Sequence, residues 1–155
     1  MQHDTQARLV IKIERSGKVE AKLTFKEYNE NLKQGRLSGL KCGGCGEVSA
    51  QPRLICAKCG GNALETIELK GSGAIQTFTV NYVAAEGRES EVPYIVAIVE
   101  LDEGPWIMGN ISGLKPEEAT MDIMGKKVRM EGSAVFAGDR YSSVEVARPV
   151  FKLVS

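Results

Sequence analysis

Two short cysteine motifs decide the fold of this chain: Cys42-Gly43-Gly44-Cys45-Gly46 and Cys56-Ala57-Lys58-Cys59-Gly60. In each motif two residues separate the thiols, so the backbone can fold back and bring both sulfurs to one metal ion at about 2.3 Å. A glycine follows each second cysteine and permits the tight turn, because glycine tolerates positive φ. The ten residues 46–55 between the motifs are enough for a short hairpin that brings the pairs together. We therefore predict a structural zinc site with Cys42, Cys45, Cys56 and Cys59 as its ligands.

Other uses of four cysteines fit the sequence less well. Two disulfides would need an oxidising compartment, and the polar residues 1–6 lack the apolar segment of a signal peptide. A redox Cys-x-x-Cys normally occurs once, beside a βαβ pattern that this sequence lacks. Iron in a rubredoxin-like site uses the same ligands and stays open, as does an empty site. Four protein ligands leave no position for an activated water, so we expect a structural metal.

Length and composition describe an ordinary globular protein. The chain has 155 residues, of which 43% are hydrophobic and 26% charged, which fits one domain or a small domain with an appendage. No apolar run approaches the ~20 residues of a membrane span. We expect a cytoplasmic protein without a membrane partner.

Charge is balanced overall but unevenly distributed. Residues 1–41 hold nine Lys/Arg against five Asp/Glu (net +4), residues 42–70 hold three of each, and residues 71–155 hold eight against twelve (net −4). Nucleic-acid affinity rests largely on neutralising phosphates, so the acidic main part argues against a DNA or RNA role.

The pattern before the cysteines predicts a β-hairpin and a helix. Residues 8–13 and 19–23 alternate apolar and polar around a turn at 15–18, and a hairpin this small must dock its apolar face on something. Thr24 and Glu27 form a capping-box pattern, and Gly35 is placed to end the helix in a left-handed conformation. The apolar stripe of this helix is expected to pack on the core; it comprises Phe25, Tyr28 and Leu32.

Short strands separated by glycine-rich turns follow the cysteines. Five strands at this spacing favour a small barrel. Pro116 is placed to start a helical turn between the third and fourth strands. The predicted strands are Ala74–Ala84, Tyr94–Leu101, Trp106–Ile111, Lys127–Ala137 and Ser143–Lys152. The predicted division is residues 1–36 as an N-terminal hairpin and helix, 37–69 as a four-cysteine ribbon and 70–155 as the barrel.

No catalytic constellation is evident, and we assign no catalytic residue. His3 is the sole histidine and belongs to a polar terminus, so a nucleophile has no imidazole base. The acidic stretch Glu86–Glu91 and the pair Asp102–Glu103 fall in predicted loops, where solvated charges are the usual explanation. Glycine-rich phosphate loops and nucleophile elbows are missing. An independent enzyme is not expected.

Aromatic residues of the barrel have two interpretations. Trp106, the sole tryptophan, heads a predicted strand, and we expect it to pack in the core, although an exposed tryptophan would suit a partner interface. Phe78, Tyr82 and Tyr94 would be the stacking residues of a single-stranded nucleic-acid reader, but the basic groove that should accompany them is missing.

The succession of motifs resembles a family that joins a rubredoxin-like zinc ribbon to an OB-fold, long called a domain of unknown function. The resemblance covers about residues 25–155. It rests on the two cysteine motifs and on Gly35–Cys42, Pro52-Arg53, Gly71–Val80, Pro93–Ala97, Val99–Gly104 and Arg148–Phe151. The implied fold is mainly β: an N-terminal hairpin and short helix, the ribbon, then a five-stranded OB-fold barrel. The hairpin at 8–23 is not part of the family pattern, and we interpret it as a docking arm.

The resemblance also implies a function. Members of this family accompany thiolases and other acyl-CoA enzymes as non-catalytic subunits that help shape or cover the acyl-CoA site, and the four cysteines match the family's metal ligands. The leading hypothesis is an accessory subunit of a thiolase that acts on a β-ketoacyl-CoA, for example in the degradation of aromatic compounds, with the coenzyme A thioester bound by the hetero-oligomer. The alternatives are a subunit of a CoA-dependent hydratase or aldolase, a single-stranded nucleic-acid module, and an iron-bearing electron carrier.

Overall fold

The computed structural model describes residues 19–86, 89–138 and 143–155. Its elements form a small ribbon followed by a barrel. They are α1 (Phe25–Lys33), β1 (Leu37–Cys42), β2 (Val48–Ser49), β3 (Leu64–Leu69), β4 (Ser72–Asn81), β5 (Tyr94–Leu101), β6 (Trp106–Ser112), β7 (Lys127–Phe136) and β8 (Val146–Leu153). Among these residues, no helix is long and apolar enough to cross a membrane.

The predicted N-terminal hairpin is not found in the described part. Its first strand, residues 8–13, and its turn lie outside the described residues. Its second strand, predicted at 19–23, is wrong, because these residues form no strand. The apolar alternation misled here: Leu23 is buried, whereas Val19 is 45% exposed. Residues 19–23 instead run beside the ribbon, where the Thr66 hydroxyl donates to the Lys22 carbonyl oxygen at 2.8 Å.

Both predicted ends of helix α1 are confirmed. The Glu27 carboxylate accepts from the Thr24 N–H at 2.8 Å, and the Thr24 hydroxyl accepts from the Glu27 N–H at 3.2 Å, which completes the capping box. The Glu27 carboxylate also accepts from the Thr24 hydroxyl, and the hydrogen bonds from the Thr24 N–H and hydroxyl lower the pKa of Glu27. At the other end Gly35 has φ +76°, its N–H donates to the Leu32 carbonyl and the Arg36 N–H to the Asn31 carbonyl. These are the two bonds of a Schellman motif.

The apolar stripe of α1 is only partly as predicted. Tyr28 and Leu32 are buried, but Phe25 is 57% exposed, so its predicted place in the core is wrong. Phe25 is the first residue of the helix, and there the apolar stripe extends beyond the core surface on which Tyr28 and Leu32 pack. Asn29 is buried in its place, at 3% exposure, and connects the helix to the barrel. Its amide nitrogen donates to the Glu145 carbonyl oxygen, and its amide oxygen accepts from the Ala147 N–H, both at 2.7 Å.

The ribbon is a three-stranded antiparallel sheet in the order β2-β1-β3. Strands β1 and β2 form a hairpin around the first cysteine motif, with Leu40 opposite Ser49. The hairpin predicted between the two motifs does not form there. Only β2 lies between the motifs, and it pairs with residues of β1 that precede Cys42. Strand β3 pairs along the whole of β1, from Leu37 opposite Leu69 to Cys42 opposite Leu64.

The five predicted barrel strands are confirmed. They close in the order β4-β5-β6-β8-β7, with β7 pairing back to β4 and with β6 parallel to β8. This is the strand order of an OB-fold. Several predicted ends differ by one or two residues, and two differ by three because a strand stops where its partner stops: β4 ends at Asn81, opposite the first residue of β5, and β8 begins at Val146, opposite the last of β7. The core is filled by inward side chains such as Ile75, Val99 and Phe151, and the turn at Pro116–Glu118 is present.

Asn29 supplies the first test, because α1 depends on it for its polar link to β8. We expect Asn29→Ala to lower the free energy of unfolding by about 2–3 kcal/mol, since it leaves the Ala147 N–H and the Glu145 carbonyl without partners. Lys26→Ala, on the exposed side of the same helix, is the control and should change stability by less than about 0.5 kcal/mol. Urea unfolding of both variants measures this. Equal stabilities would show that the Asn29 bridge contributes nothing.

Candidate metal centre and the cleft beside it

The two cysteine motifs adopt the same backbone turn. In the first, the Gly46 N–H donates to the Cys42 carbonyl and the Cys42 N–H to the Glu47 carbonyl, both at 2.8 Å. In the second, the Gly60 N–H donates to the Cys56 carbonyl at 3.0 Å and the Cys56 N–H to the Gly61 carbonyl at 2.8 Å. Gly46 and Gly60 have φ of +76° and +71°, which explains the glycine after each second cysteine. Each turn points two sulfurs the same way.

The four sulfurs converge. All lie within 4.8 Å of one another, and the Cys42–Cys59 and Cys45–Cys56 sulfur distances are 3.6 Å. Sulfurs placed at about 2.3 Å around a tetrahedral ion are about 3.8 Å apart, so the arrangement fits zinc, and it is far too open for disulfides. Cys42 and Cys56 are buried, whereas Cys45 and Cys59 lie nearer the surface.

Backbone N–H groups stabilise negative charge within the cluster. The N–H groups of Cys59 and Lys58 hydrogen-bond to the Cys56 sulfur and lower the pKa of this thiol to about 6. At Cys45 the Glu47 N–H also lowers the pKa, but burial and the neighbouring thiols outweigh it and raise the pKa to about 12. Four thiols this close cannot all ionise without a cation among them. A divalent ion that prefers sulfur fits this donor set.

Asp102 and Glu103, two of the carboxylates considered in the sequence, each bind another group. Asp102 forms an ion pair with Lys127 at 3.6 Å, and a Glu103 oxygen accepts from the Lys70 N–H at 2.8 Å. The first contact lies within the barrel, and the second joins the barrel to the segment that leaves the ribbon. Residues 87 and 88 of the acidic stretch, like His3, lie outside the described residues.

Trp106 is not in the core, and the expectation that it packs there is wrong. It is 57% exposed. In β6 the buried residues Ile107 and Ile111 face inward, so the alternation of a strand turns Trp106 and Met108 outward. That period was readable in the sequence and is the signal that would have placed the indole correctly. Of the three residues considered for stacking, Phe78 packs against the core, Tyr82 is 63% exposed and Tyr94 is half-buried.

A cleft of about 340 Å³ lies beside the cysteines, and sequence reasoning missed it. One wall is formed by ribbon residues within 47–57, including Arg53 and Ile55. The other wall is the β5–β6 turn, Gly104–Trp106, and Leu40 and Leu64 also line it. We call this space the junction cleft. The two walls are more than 45 residues apart in sequence, so no local motif predicts the junction cleft.

Two family models match consecutive parts of the chain. Residues 30–65 match the ChsH2 rubredoxin-like zinc ribbon domain, and residues 66–133 match the ChsH2 C-terminal OB-fold domain. These stretches contain α1 from Glu30 onward, the ribbon and most of the barrel.

Curated relatives carry related names. A DUF35 domain-containing scaffold protein of Methanocaldococcus jannaschii is 37% identical over 108 residues, which cover 69% of this chain and 77% of the relative. One of Methanothermobacter thermautotrophicus is 34% identical over 114 residues, covering 70% and 86%. A probable enoyl-CoA hydratase alpha subunit of Thermomonospora curvata is 33% identical over 89 residues, which are 57% of this chain but 28% of that protein.

Solved structures agree with the domain order. A chain of the Ltp2-ChsH2(DUF35) aldolase superposes with a TM-score of 0.61 at 28% identity, over 81% of this chain and 91% of that one. A DUF35-family protein of unknown function from Sulfolobus solfataricus has a TM-score of 0.50 at 16% identity over 83% and 84%, which supports the fold alone. Matches in sequence and in structure thus run through both ribbon and barrel, and the chain belongs to the DUF35 family, in which a ChsH2-type zinc ribbon precedes an OB-fold domain.

Proposed function

We propose that this chain is a non-catalytic accessory subunit that assembles with a catalytic subunit of acyl-CoA chemistry. The observation that carries the proposal is the likeness, over 81% of this chain, to a chain of an aldolase named for both Ltp2 and ChsH2(DUF35). The names of the archaeal relatives, which are scaffold proteins, support the same role. In this role the chain positions its partner and contributes surface to the shared site, while the partner performs the chemistry.

The partner that we propose is a thiolase acting on a β-ketoacyl-CoA in the cytoplasm. The sequence resemblance described above supports the thiolase, with the coenzyme A thioester bound by the assembled complex. An aldolase or hydratase subunit is the second candidate, and the names of two relatives favour it. Both candidates place the chain in a hetero-oligomer with an enzyme that handles CoA thioesters.

We further propose that Cys42, Cys45, Cys56 and Cys59 hold one structural zinc ion. The sulfur spacing of 3.6 Å fits the tetrahedral site, and all four positions are filled by protein. The ribbon, proposed as residues 37–69, is too small to fold on apolar burial alone, because units below about 40 residues usually need a metal or disulfides. The ion therefore stabilises the ribbon and, through it, one wall of the junction cleft.

The zinc assignment predicts the effect of removing one ligand. We expect Cys56→Ser to weaken zinc binding by more than about 100-fold, because even outer-shell changes at metal sites cost 10–100-fold. The ribbon should unfold while the barrel strands stay partly folded, since structural zinc supplies on the order of 10 kcal/mol. Elemental analysis and circular dichroism of the purified protein measure the two effects.

Ala57→Ser is the matched control, because it adds the same hydroxyl at the next, exposed residue. It should retain one zinc per chain and the wild-type melting curve. If Cys56→Ser kept stoichiometric zinc and full stability, the four-cysteine assignment would be wrong. If wild-type protein held stoichiometric iron, the metal itself would need correction.

The accessory role predicts that activity belongs to the complex. Co-expression with a β-ketoacyl-CoA thiolase from the same organism should give a stable hetero-oligomer in size-exclusion chromatography with light scattering. Thiolytic turnover of a β-ketoacyl-CoA should fall by about 100-fold or more when this chain is omitted, as expected when a reacting group is mispositioned by about 1 Å. The isolated chain should show none. Turnover by the isolated chain would contradict the proposal. A chain that stays monomeric when mixed with the thiolase and with other CoA enzymes would also contradict it.

A further inference from the structure

We infer that the junction cleft binds an apolar side chain of the catalytic subunit, and that Arg53 binds a carboxylate of the same subunit. The inference rests on the proposed accessory role and adds the surface through which it operates. Trp106 is the central contact. Three features of the cleft support the inference: its exposed apolar side chains, its uncompensated positive charge and its rigid barrel wall.

Large apolar side chains stand exposed around the cleft. Ile55 on the ribbon wall is 53% exposed and Trp106 on the barrel wall 57% exposed. Met108 follows on the same outward face of β6 at 56% exposure, and the strand beside it contributes the half-buried Ile98, its register partner. The apolar surface therefore continues from the cleft onto the barrel. Exposed apolar surface of this kind marks interaction sites.

The extent of this surface favours a protein over a small molecule. A volume of about 340 Å³ is at the lower end of ligand pockets, which span about 300–1,000 Å³. A small ligand that filled it would leave Met108 in water. A protein surface with one inserted side chain covers both the cleft and the face of β6, and tryptophan is a preferred anchor at the centre of such interfaces.

The charges of the cleft select the chemistry of the partner. Glu47 is neutralised by Lys58 at 3.3 Å. Arg53 uses its Nε to donate to the Ser49 hydroxyl oxygen at 3.0 Å, and it has no ion pair within the described residues. This bond holds the guanidinium in place and leaves its terminal nitrogens as donors. A planar pair of donors of this kind matches a carboxylate, which accepts two parallel hydrogen bonds from arginine.

The barrel wall is held in position before any partner arrives. The Asp102 N–H donates to the Ser72 carbonyl and the Leu101 N–H to the Pro105 carbonyl, both at 2.9 Å. The Glu103 carboxylate accepts from the Lys70 N–H at 2.8 Å, which ties the turn to the segment that leaves the ribbon. Because the turn carrying Trp106 is bonded on both sides, little conformational entropy is lost when a partner binds there.

A fluorine label on the sole tryptophan tests the inference directly. 5-Fluorotryptophan incorporated into this chain alone gives one ¹⁹F resonance, from Trp106. Unlabelled catalytic subunit, the thiolase that forms the complex with this chain, is then added to the zinc-loaded chain. We expect the resonance to shift and broaden at saturation. Formation of the complex with the resonance at its original shift would overturn the inference and leave the proposed function standing.

Variants at the cleft give the energetic test. Trp106→Ala should weaken binding to the thiolase by about 30-fold or more, the range of an interface hot spot, and Trp106→Phe, which keeps a ring, by less than about tenfold. Arg53→Glu should weaken it by at least about tenfold and more strongly at low salt, while Arg53→Lys retains part of the affinity. Wild-type affinity in both Trp106→Ala and Arg53→Glu would overturn the inference.

Controls separate the alternatives. Tyr82→Ala removes an exposed aromatic residue outside the cleft and should bind like wild type; an equal loss there would show that the effect is not specific to the cleft and would overturn the inference. A resonance that shifts on adding coenzyme A alone, or with the concentration of this chain alone, would assign the cleft to a small ligand or a second copy. Absence of any wild-type complex would instead refute the proposed function itself.

Discussion

The convergence of four sulfurs is the constraint on which the ribbon depends. Its sheet has three strands, one of them only two residues long, and apart from two cysteines its buried apolar side chains are four leucines and Ala50. So little apolar burial cannot offset the conformational entropy of ordering the chain. The two cysteine turns supply what is missing, because each brings two thiols to one point, where the proposed ion would tie both turns together. The position of residues 47–57, and with it one wall of the junction cleft, follows from that closure.

The junction between ribbon and barrel transmits this order. Strand β1 leads directly into the first cysteine turn, and β3 returns to the barrel through residues 70 and 71, where the Glu103 carboxylate caps the Lys70 N–H. Helix α1 adds a second link, because the side-chain amide of Asn29 hydrogen-bonds to the backbone of Glu145 and Ala147 at the start of β8. The described structure thus fixes the ribbon and α1 against the barrel through side-chain–backbone hydrogen bonds and a shared apolar core that includes Leu32 and Leu69, while Trp106 and Met108 on the outward face of β6 stay exposed.

Local signals explain which features the sequence could predict. The capping box of Thr24 and Glu27, the glycine turns after Cys45 and Cys59, and the strand Tyr94–Leu101 each depend on residues close in sequence. The errors have another origin. Leu23 fits a strand pattern but is buried without belonging to a strand, and Trp106 takes an outward position in β6, out of phase with the buried Ile107 and Ile111. The junction cleft brings together residues about 50 positions apart, so only the fold reveals it.

An exposed tryptophan in a barrel strand needs a physical reason. Removing the large apolar area of an indole from water is favourable, so a monomer that leaves the indole exposed lacks that stabilisation. Here the strand period forces the choice, because Ile107 and Ile111 occupy the inward positions and reversing the register would expose them. The fold therefore stabilises itself with the isoleucines and keeps the tryptophan outward, next to an arginine held by Ser49. That arrangement suits the proposed accessory role, in which the chain contributes a binding surface to a complex.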